Sequence, residues 1–425
     1  MIAAIDPKLI AIGVFVVVYA LILLGLRELT AASLAGAAVL LLLGVLTPEE
    51  AWAHVDFDVI ALLIGVMIVS RVLSYVGFFR WLGIHMANLV RCDPLKMMVL
   101  FLCVSAVLTG FAGATVVVAL MMSMVVMEIM DILELDPRPY ILGVIFAVNI
   151  AGMSTSVSSL PTILIASAWH LGFIDMISRM WAPTLVGILV LVALMVLFNR
   201  KRLTRARPAY TRMPVSPSEV ITDKKLFLFS CAMFILMVLG FVAGPAIGLT
   251  PGAVALITAA ILLIVGGKRI GPVVREVDWE TVLSIMGLLI IVGALEKTGA
   301  IAGFASLIAP GLTAGEVLGL TIMLWSSSLA SAIVDNVPFT IAMISTLKAM
   351  GKAGLSVARL RWALAAGTCL GGNGTIIASY ANLVVVGQAS EKGYKIDPRT
   401  FMRIGMILVL ATTAASNLAL LLVAR

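Results

Sequence analysis

Two polar stretches interrupt an otherwise apolar second half of this chain. One runs from Ser326 to Pro338 and reads SSSLASAIVDNVP; the other runs from Gly371 to Asn382 and reads GGNGTIIASYAN. An acid in an apolar run long enough to cross a bilayer costs about 2.5 to 3.5 kcal/mol or more, so Asp335 is expected to face a cavity. Asp335 and Asn336 are helix-capping residue types, and Pro338 suits a first helical turn, so a helix is expected to begin there. Its N-terminus would bring positive partial charge and free backbone N–H groups to the same place. Asp335 then either titrates in that field as a proton or cation ligand, or serves only as the cap. Gly371, Gly372, Asn373 and Gly374 can unwind a helix and expose backbone polar groups, which is tolerated at membrane depth only where protein or water satisfies them. Thr375, Ser379 and Asn382 follow at spacings of four and three, predicting one helical face. A related face stands in the first half at Thr155, Ser159 and Thr162, with Asn149 and Ser154 nearby. Singly, such hydroxyls often bond only to their own helix or a neighbour; the matched pattern in both halves points to a shared ion or solute site.

The elements that must position these residues follow from composition. The chain has 425 residues, 62% apolar and only 12% charged, with mean hydropathy +1.16. This excludes ordinary soluble usage and predicts an all-α polytopic membrane protein. The net charge of +7 lies in short segments between apolar runs, without interleaved aromatics, so no nucleic acid partner is expected. Cys92, Cys103, Cys231 and Cys369 are far apart, suggesting neither a disulfide framework nor a zinc site. Walker, HExxH and GxSxG motifs are absent from the sequence, so neither an enzyme nor a cofactor is expected. The apolar run from residue 8 to 27 lacks a basic leader and is expected to be a first span.

Spans of about 20 residues are predicted near 8–27, 29–46, 57–78, 175–199, 225–244, 250–266, 279–297 and 398–424. The two regions left over each divide into a re-entrant hairpin, about 94–131 and 313–350, and a discontinuous helix, about 139–172 and 357–391. An offset of 222 residues lays Val55-Asp56-Phe57-Asp58 over Val277-Asp278-Trp279-Glu280, Gly65 over Gly287, and Gly113-Ala114 over Asp335-Asn336. An offset of 220 lays Gly152, Thr155, Ser159 and Thr162 over Gly372, Thr375, Ser379 and Asn382. Two repeats of five crossings, 1–199 and 225–425, are therefore expected, joined by a basic linker at 200–224. Five is odd, so the repeats must be inverted, a plan common in secondary transporters. The positive-inside rule puts the linker in the cytoplasm and both termini outside. Lys348, Lys352, Arg359 and Arg361 fall on the wrong side of that rule, where an anionic surface or partner is the only account the sequence offers.

At Ser331-Ala-Ile-Val-Asp335-Asn336-Val-Pro338-Phe-Thr340 and Cys369-Leu-Gly-Gly-Asn-Gly-Thr375 the chain resembles the ion transporter superfamily, within it the arsenite permease and sodium/proton antiporter (ArsB/NhaD) group. The resemblance runs over nearly the whole length. It implies two inverted repeats, opposed hairpins, and a site where both hairpin tips meet both broken helices. It also implies proton-coupled antiport of a small inorganic ion: sodium/proton exchange, or efflux of arsenite or antimonite as neutral hydroxide. Organic anions are carried in other branches. The first half departs from the group's pattern, reading Gly113-Ala114 where the group often has Asp-Asn, and Ala151-Gly152 with Ser159-Leu-Pro161-Thr162 where it has further carboxylates. A specialised proton conductor of an organelle membrane such as the magnetosome, or a transporter-derived scaffold, is also compatible. Expected surroundings are a lipid bilayer, bacterial inner membrane or one derived from it. A homodimer is compatible with the sequence, as is a soluble ATPase docked on the linker in the arsenite case.

Overall fold

Helix starts in this chain are written by capping residues. Thr47 and Glu50 form a capping box ahead of Pro48, and the Asp56, Asp93, Thr250 and Asp278 side chains each accept a backbone N–H of the helix that follows. The computed structural model describes residues 6–23, 28–113, 115–267, 270–313 and 315–423. Ala114, paired with Asn336 by the repeat offset, lies outside the described residues.

The first repeat comprises α1 (Pro7–Leu23), α2 (Leu29–Leu42), short α3 (Pro48–Ala53), α4 (Phe57–Tyr75), α5 (Phe78–Leu89), the hairpin α6 (Pro94–Ala112) and α7 (Thr115–Ile132), the broken helix α8 (Arg138–Ala151) and α9 (Leu160–Ala168), and α10 (Phe173–Arg205). The second comprises α11 (Lys224–Ala243), α12 (Pro251–Gly266), α13 (Trp279–Lys297), α14 (Ala300–Thr313), the hairpin α15 (Glu316–Ser331) and α16 (Asn336–Lys352), the broken helix α17 (Leu360–Gly371) and α18 (Tyr380–Glu391), and α19 (Pro398–Val423). Each half thus holds a helical hairpin followed by a broken helix. Seven helices among the described residues are long and apolar enough to cross a membrane, α6 and α7 of the hairpin among them. The chain is an integral, multi-pass, all-α membrane protein. Helices α5 and α14 were not expected. Each is short and amphipathic, follows a span and lies against the second hairpin arm of its own repeat, α7 or α16.

Packing repeats with a two-fold logic. Helix α4 packs on α12 while α13 packs on α2; α6 packs on α8 as α15 does on α17; α7 meets α18 as α16 meets α9; and α10 meets α19. Two close crossings show the relation residue by residue. A Cβ at Gly65 would fall 2.5 Å from the Ala255 backbone, and one at Gly287 would fall 2.7 Å from the Ser33 backbone. Both pairs obey the same offset, Gly65 to Gly287 and Ser33 to Ala255. Only glycine allows such approach, so each repeat lends its second span to clasp the other's third.

The linker marks one face of the molecule. Met213 and Thr222 donate hydrogen bonds to Asn88 and Tyr75, and Arg202 of α10 pairs with Asp136, so the C-terminal ends of α4, α5, α7 and α10 lie on that face. The Tyr394 hydroxyl bonded to Asp131 adds the loop before α19. On the opposite face Lys297 pairs with Glu50 at 2.6 Å, and Lys352 with Glu296 at 3.2 Å. The basic group at 348–361 also has local partners: Arg359 pairs with Glu316 at 2.6 Å and Arg361 lies over the Trp362 ring at 5.0 Å. Lys352 and Arg359 are thus neutralised within the protein, which accounts for half of that cluster.

Candidate functional site

The site grows from the way two hairpin tips meet two helix breaks. In each repeat the first hairpin arm ends with a backbone carbonyl that its own helix cannot use. The Thr155 hydroxyl donates to the Gly110 carbonyl at 2.8 Å, and the Thr375 hydroxyl to the Ala332 carbonyl, also at 2.8 Å. The breaks are satisfied from within. The Gly152 carbonyl accepts from Ser158, Ser159 and Thr162 at 2.6, 2.8 and 3.1 Å. Its counterpart at Gly372 accepts from Asn382 at 2.7 Å and from Asn149 at 3.2 Å.

Here the structure corrects the expected helical faces. Thr375 and Ser379 have extended backbones with a 3-10 turn between them, and Ser159 is likewise extended at the start of α9. Thr155, Ser159 and Thr162, like Thr375, Ser379 and Asn382, therefore converge across a break instead of lining one helix. The reason is backbone accounting: a broken helix leaves carbonyls that polar side chains on both sides of the gap must meet. The glycines divide the work. Gly371 still belongs to α17, and a Cβ on it would fall 2.4 Å from the Ser328 carbonyl, so it serves close packing against α15.

Asn149 joins the repeats. Its amide nitrogen contacts the Gly372 carbonyl, the Asn373 side-chain oxygen at 3.1 Å and the Asn382 side-chain oxygen at 2.9 Å, and its own oxygen accepts from Ser379 at 3.3 Å. The Asn373 amide nitrogen and the Ser154 and Ser156 hydroxyls are buried without a hydrogen-bond partner among the described residues. Such groups are costly to leave unmet.

Beside this junction lies a cavity of about 440 Å³. The hairpin and break helices begin on it, with Thr115 and Val116 of α7, Leu160 and Pro161 of α9, Asn336 and Val337 of α16, and Tyr380 and Ala381 of α18, and α13 begins at its edge with Trp279. Ser379 precedes α18 without capping it, since its hydroxyl is turned to Asn149. The cavity reaches the linker face past Arg71 of α4 and Glu276, Asp278 and Glu280 near the start of α13. Neither these mouth residues nor Tyr380 was expected in the site, although Asp278 and Glu280 stand among the repeat landmarks. They belong to the helices against which the hairpins and breaks pack, and Arg71, a charge late in a span, left a further signal.

Asp335 sits at the tip as its sequence predicts, accepting the Val337 N–H at 2.9 Å. It does not line the cavity; its neighbour Asn336 does. Its carboxyl lies within electrostatic reach of the Tyr19 phenol on α1, whose hydroxyl is buried without a hydrogen-bond partner among the described residues. Of the residues expected in the site, Asn149, Gly372, Asn373, Thr375, Ser379 and Asn382 are joined in one network, while Thr155, Ser159 and Thr162 close the first break on itself.

Comparison with known proteins places this architecture. The family described as CitMHS, citrate transporter, matches residues 19–367. An uncharacterized transporter of Mycobacterium bovis is 31% identical over 415 residues, covering 96% of each chain. The human P protein is 27% identical over 482 residues, covering 93% of this chain and 57% of its own. The fold is similar to the crystal structure of the Alcanivorax borkumensis YdaH transporter, with TM-score 0.60 at 13% identity and 98% of both chains covered. The resemblance to the ArsB/NhaD group therefore stands at the level of superfamily. The chain is a membrane transporter and belongs to the CitMHS family.

Proposed function

We propose that this protein is a proton-coupled carrier of a small carboxylate anion of the citrate class, bound where the four helix N-termini meet the cavity. The observation that carries this reading is the inner lining: α7, α9, α16 and α18 all begin on it, while the cavity's carboxylates, Glu276, Asp278 and Glu280, stand at the mouth beside Arg71, where α13 begins. Each helix N-terminus is equivalent to roughly half a positive charge, and its free N–H groups suit carboxylate oxygens. At that inner wall, away from the carboxylates of the mouth, a bare cation would meet the positive ends of the helices. A neutral arsenite hydroxide would gain little from it. Asp335 keeps the proton-binding role in this reading, beside the anion and not in contact with it. Asn336, Ser379 and the free N–H groups at the start of α18 supply the polar contacts. The family's description points to the same substrate class. We place the linker face in the cytoplasm on the strength of its Arg and Lys residues, and take 1–199 and 225–425 as the two repeats.

The test uses purified protein in proteoliposomes carrying an internal pH dye. Radiolabelled citrate should accumulate under an inward proton gradient and bring protons with it. Sodium-driven or arsenite-driven proton movement, with no response to citrate or other carboxylates, would favour the inorganic-ion readings and overturn this one.

A further inference from the structure

The repeat relation generates a second cavity from the first. On the face opposite the linker, among α4, α9, α13 and α16, lies a cavity of about 230 Å³. Its walls are images of the walls already described. Asp56, Val59 and Leu289 stand at the 222-residue offset from Asp278, Thr281 and Met67 of the larger cavity, and Leu164 stands 220 residues from Val384. The two spaces are therefore one architectural feature seen from opposite sides, one wide and one narrow.

The narrowing has an identifiable cause. At the mouth of the larger cavity Arg71 and Glu276 form a loose ion pair at 3.7 Å. The positions equivalent to these at the same offset are Gly293 and His54. There the partners meet as an imidazole ring seated on a glycine: a Cβ at residue 293 would fall 2.3 Å from the His54 Cγ. Loss of a side chain at 293 is what lets the ring in, and the ring then occupies space that the wider cavity keeps open.

We infer that the smaller cavity is the opposite-face vestibule of the transport path, and that His54 packed on Gly293 sets its bore. The charges around it suit the anion class, and to that extent the inference rests on the function proposed above. Asp56 is engaged by the N–H groups at the start of α4 and by the Ser167 hydroxyl, and Glu296 is held by Lys352. Lys348 of α16, which lines the same space, has no ion-pair partner among the described residues. Lys348 and His54 are thus the groups left to meet a passing carboxylate.

Ser345 lines the vestibule and is 8% exposed, so Ser345→Cys is a suitable probe. It would be placed in the full chain with Cys103→Ser and Cys231→Ser, reconstituted in vesicles of known orientation. An anionic, membrane-impermeant methanethiosulfonate should react slowly with it from the face opposite the linker, and several-fold faster in His54→Ala. His54→Asn serves where His54→Ala does not reconstitute. Lys348→Ala should slow the anionic reagent several-fold and speed a cationic one. Equal rates with and without His54, or reaction only from the linker face, would overturn the inference. Labelling does not depend on which solute is carried, so a negative citrate uptake result leaves this test intact.

Discussion

The Asn149 amide nitrogen stands 2.9 Å from the Asn382 side-chain oxygen, tying α8 of the first repeat to α18 of the second at a point where both side chains are buried. Both amides also reach the Gly372 carbonyl, so three groups from two repeats share one junction. Stranding a buried partner costs about 1 to 3 kcal/mol. Asn149→Ala and Asn382→Ala should each lower the thermal unfolding temperature in detergent. The double variant should lose less than the sum of the two, because the residues share partners. Strict additivity would mean that the junction does not act as a unit.

The Gly65 and Gly287 crossings make a sharper packing prediction. Either substitution to Ala drives a methyl group into backbone, which flexible side chains cannot relieve. Overpacking of this kind costs about 1 to 3 kcal/mol, sometimes more. Both variants should show reduced yield of folded protein by size-exclusion chromatography. Gly387→Ala on α18, with open space around it, should be neutral or gain up to about 1 kcal/mol from reduced unfolded-state freedom. Equal behaviour of all three would refute the clasp.

Asp335→Asn separates capping from proton binding. Asn caps helices about as well as Asp, so α16 should keep its start and the protein its stability. What should disappear is the response of uptake to a proton gradient, with equilibrium exchange of substrate retained. Unchanged gradient-driven uptake in this variant would reduce Asp335 to a cap.

Acid should loosen the opposite face through Glu50. The Lys297 ammonium bonded to Glu50, with the Thr47 N–H, holds its carboxyl below the ordinary range. A depressed folded-state pKa contributes stability above the unfolded value, and that contribution is lost as pH falls through the folded one. Glu50 is exposed, so the effect is screened and small. Unfolding temperatures of wild type and Glu50→Gln should differ slightly at neutral pH and converge in acid. A difference that widens in acid would contradict the assignment.

Much of this was legible in the residues. The Asp335-Asn336 pair and the Gly371–Gly374 run each mark a place where an apolar helix must stop, and the structure stops there. The 222-residue offset, drawn from a few landmarks such as Gly65 and Gly287, proves to be a physical contact made twice. What was not legible was direction. Spacing of four and three puts Thr375, Ser379 and Asn382 on one face only if the helix continues, and whether it does is settled by the carbonyls it strands. Sequence likewise could not turn Asp335 away from the cavity and Asn336 toward it, because adjacent residues at a cap point to different neighbours. The offset pairs His54 with Glu276 by position, but only the structure shows the His54 ring seated on Gly293 where Glu276 faces Arg71.

The central claim is that the cavity is built for negative charge, and a carboxylate placed on its wall tests it most directly. Val116 lines the cavity in the first turn of α7, where an Asp is compatible with the helix. Citrate binding to purified wild type and Val116→Asp would be measured by calorimetry at neutral pH. The account predicts binding by wild type and its loss in the folded variant, with no gain in affinity for sodium. Undiminished citrate binding by Val116→Asp, or tight sodium binding by the wild type with none for citrate, would contradict it.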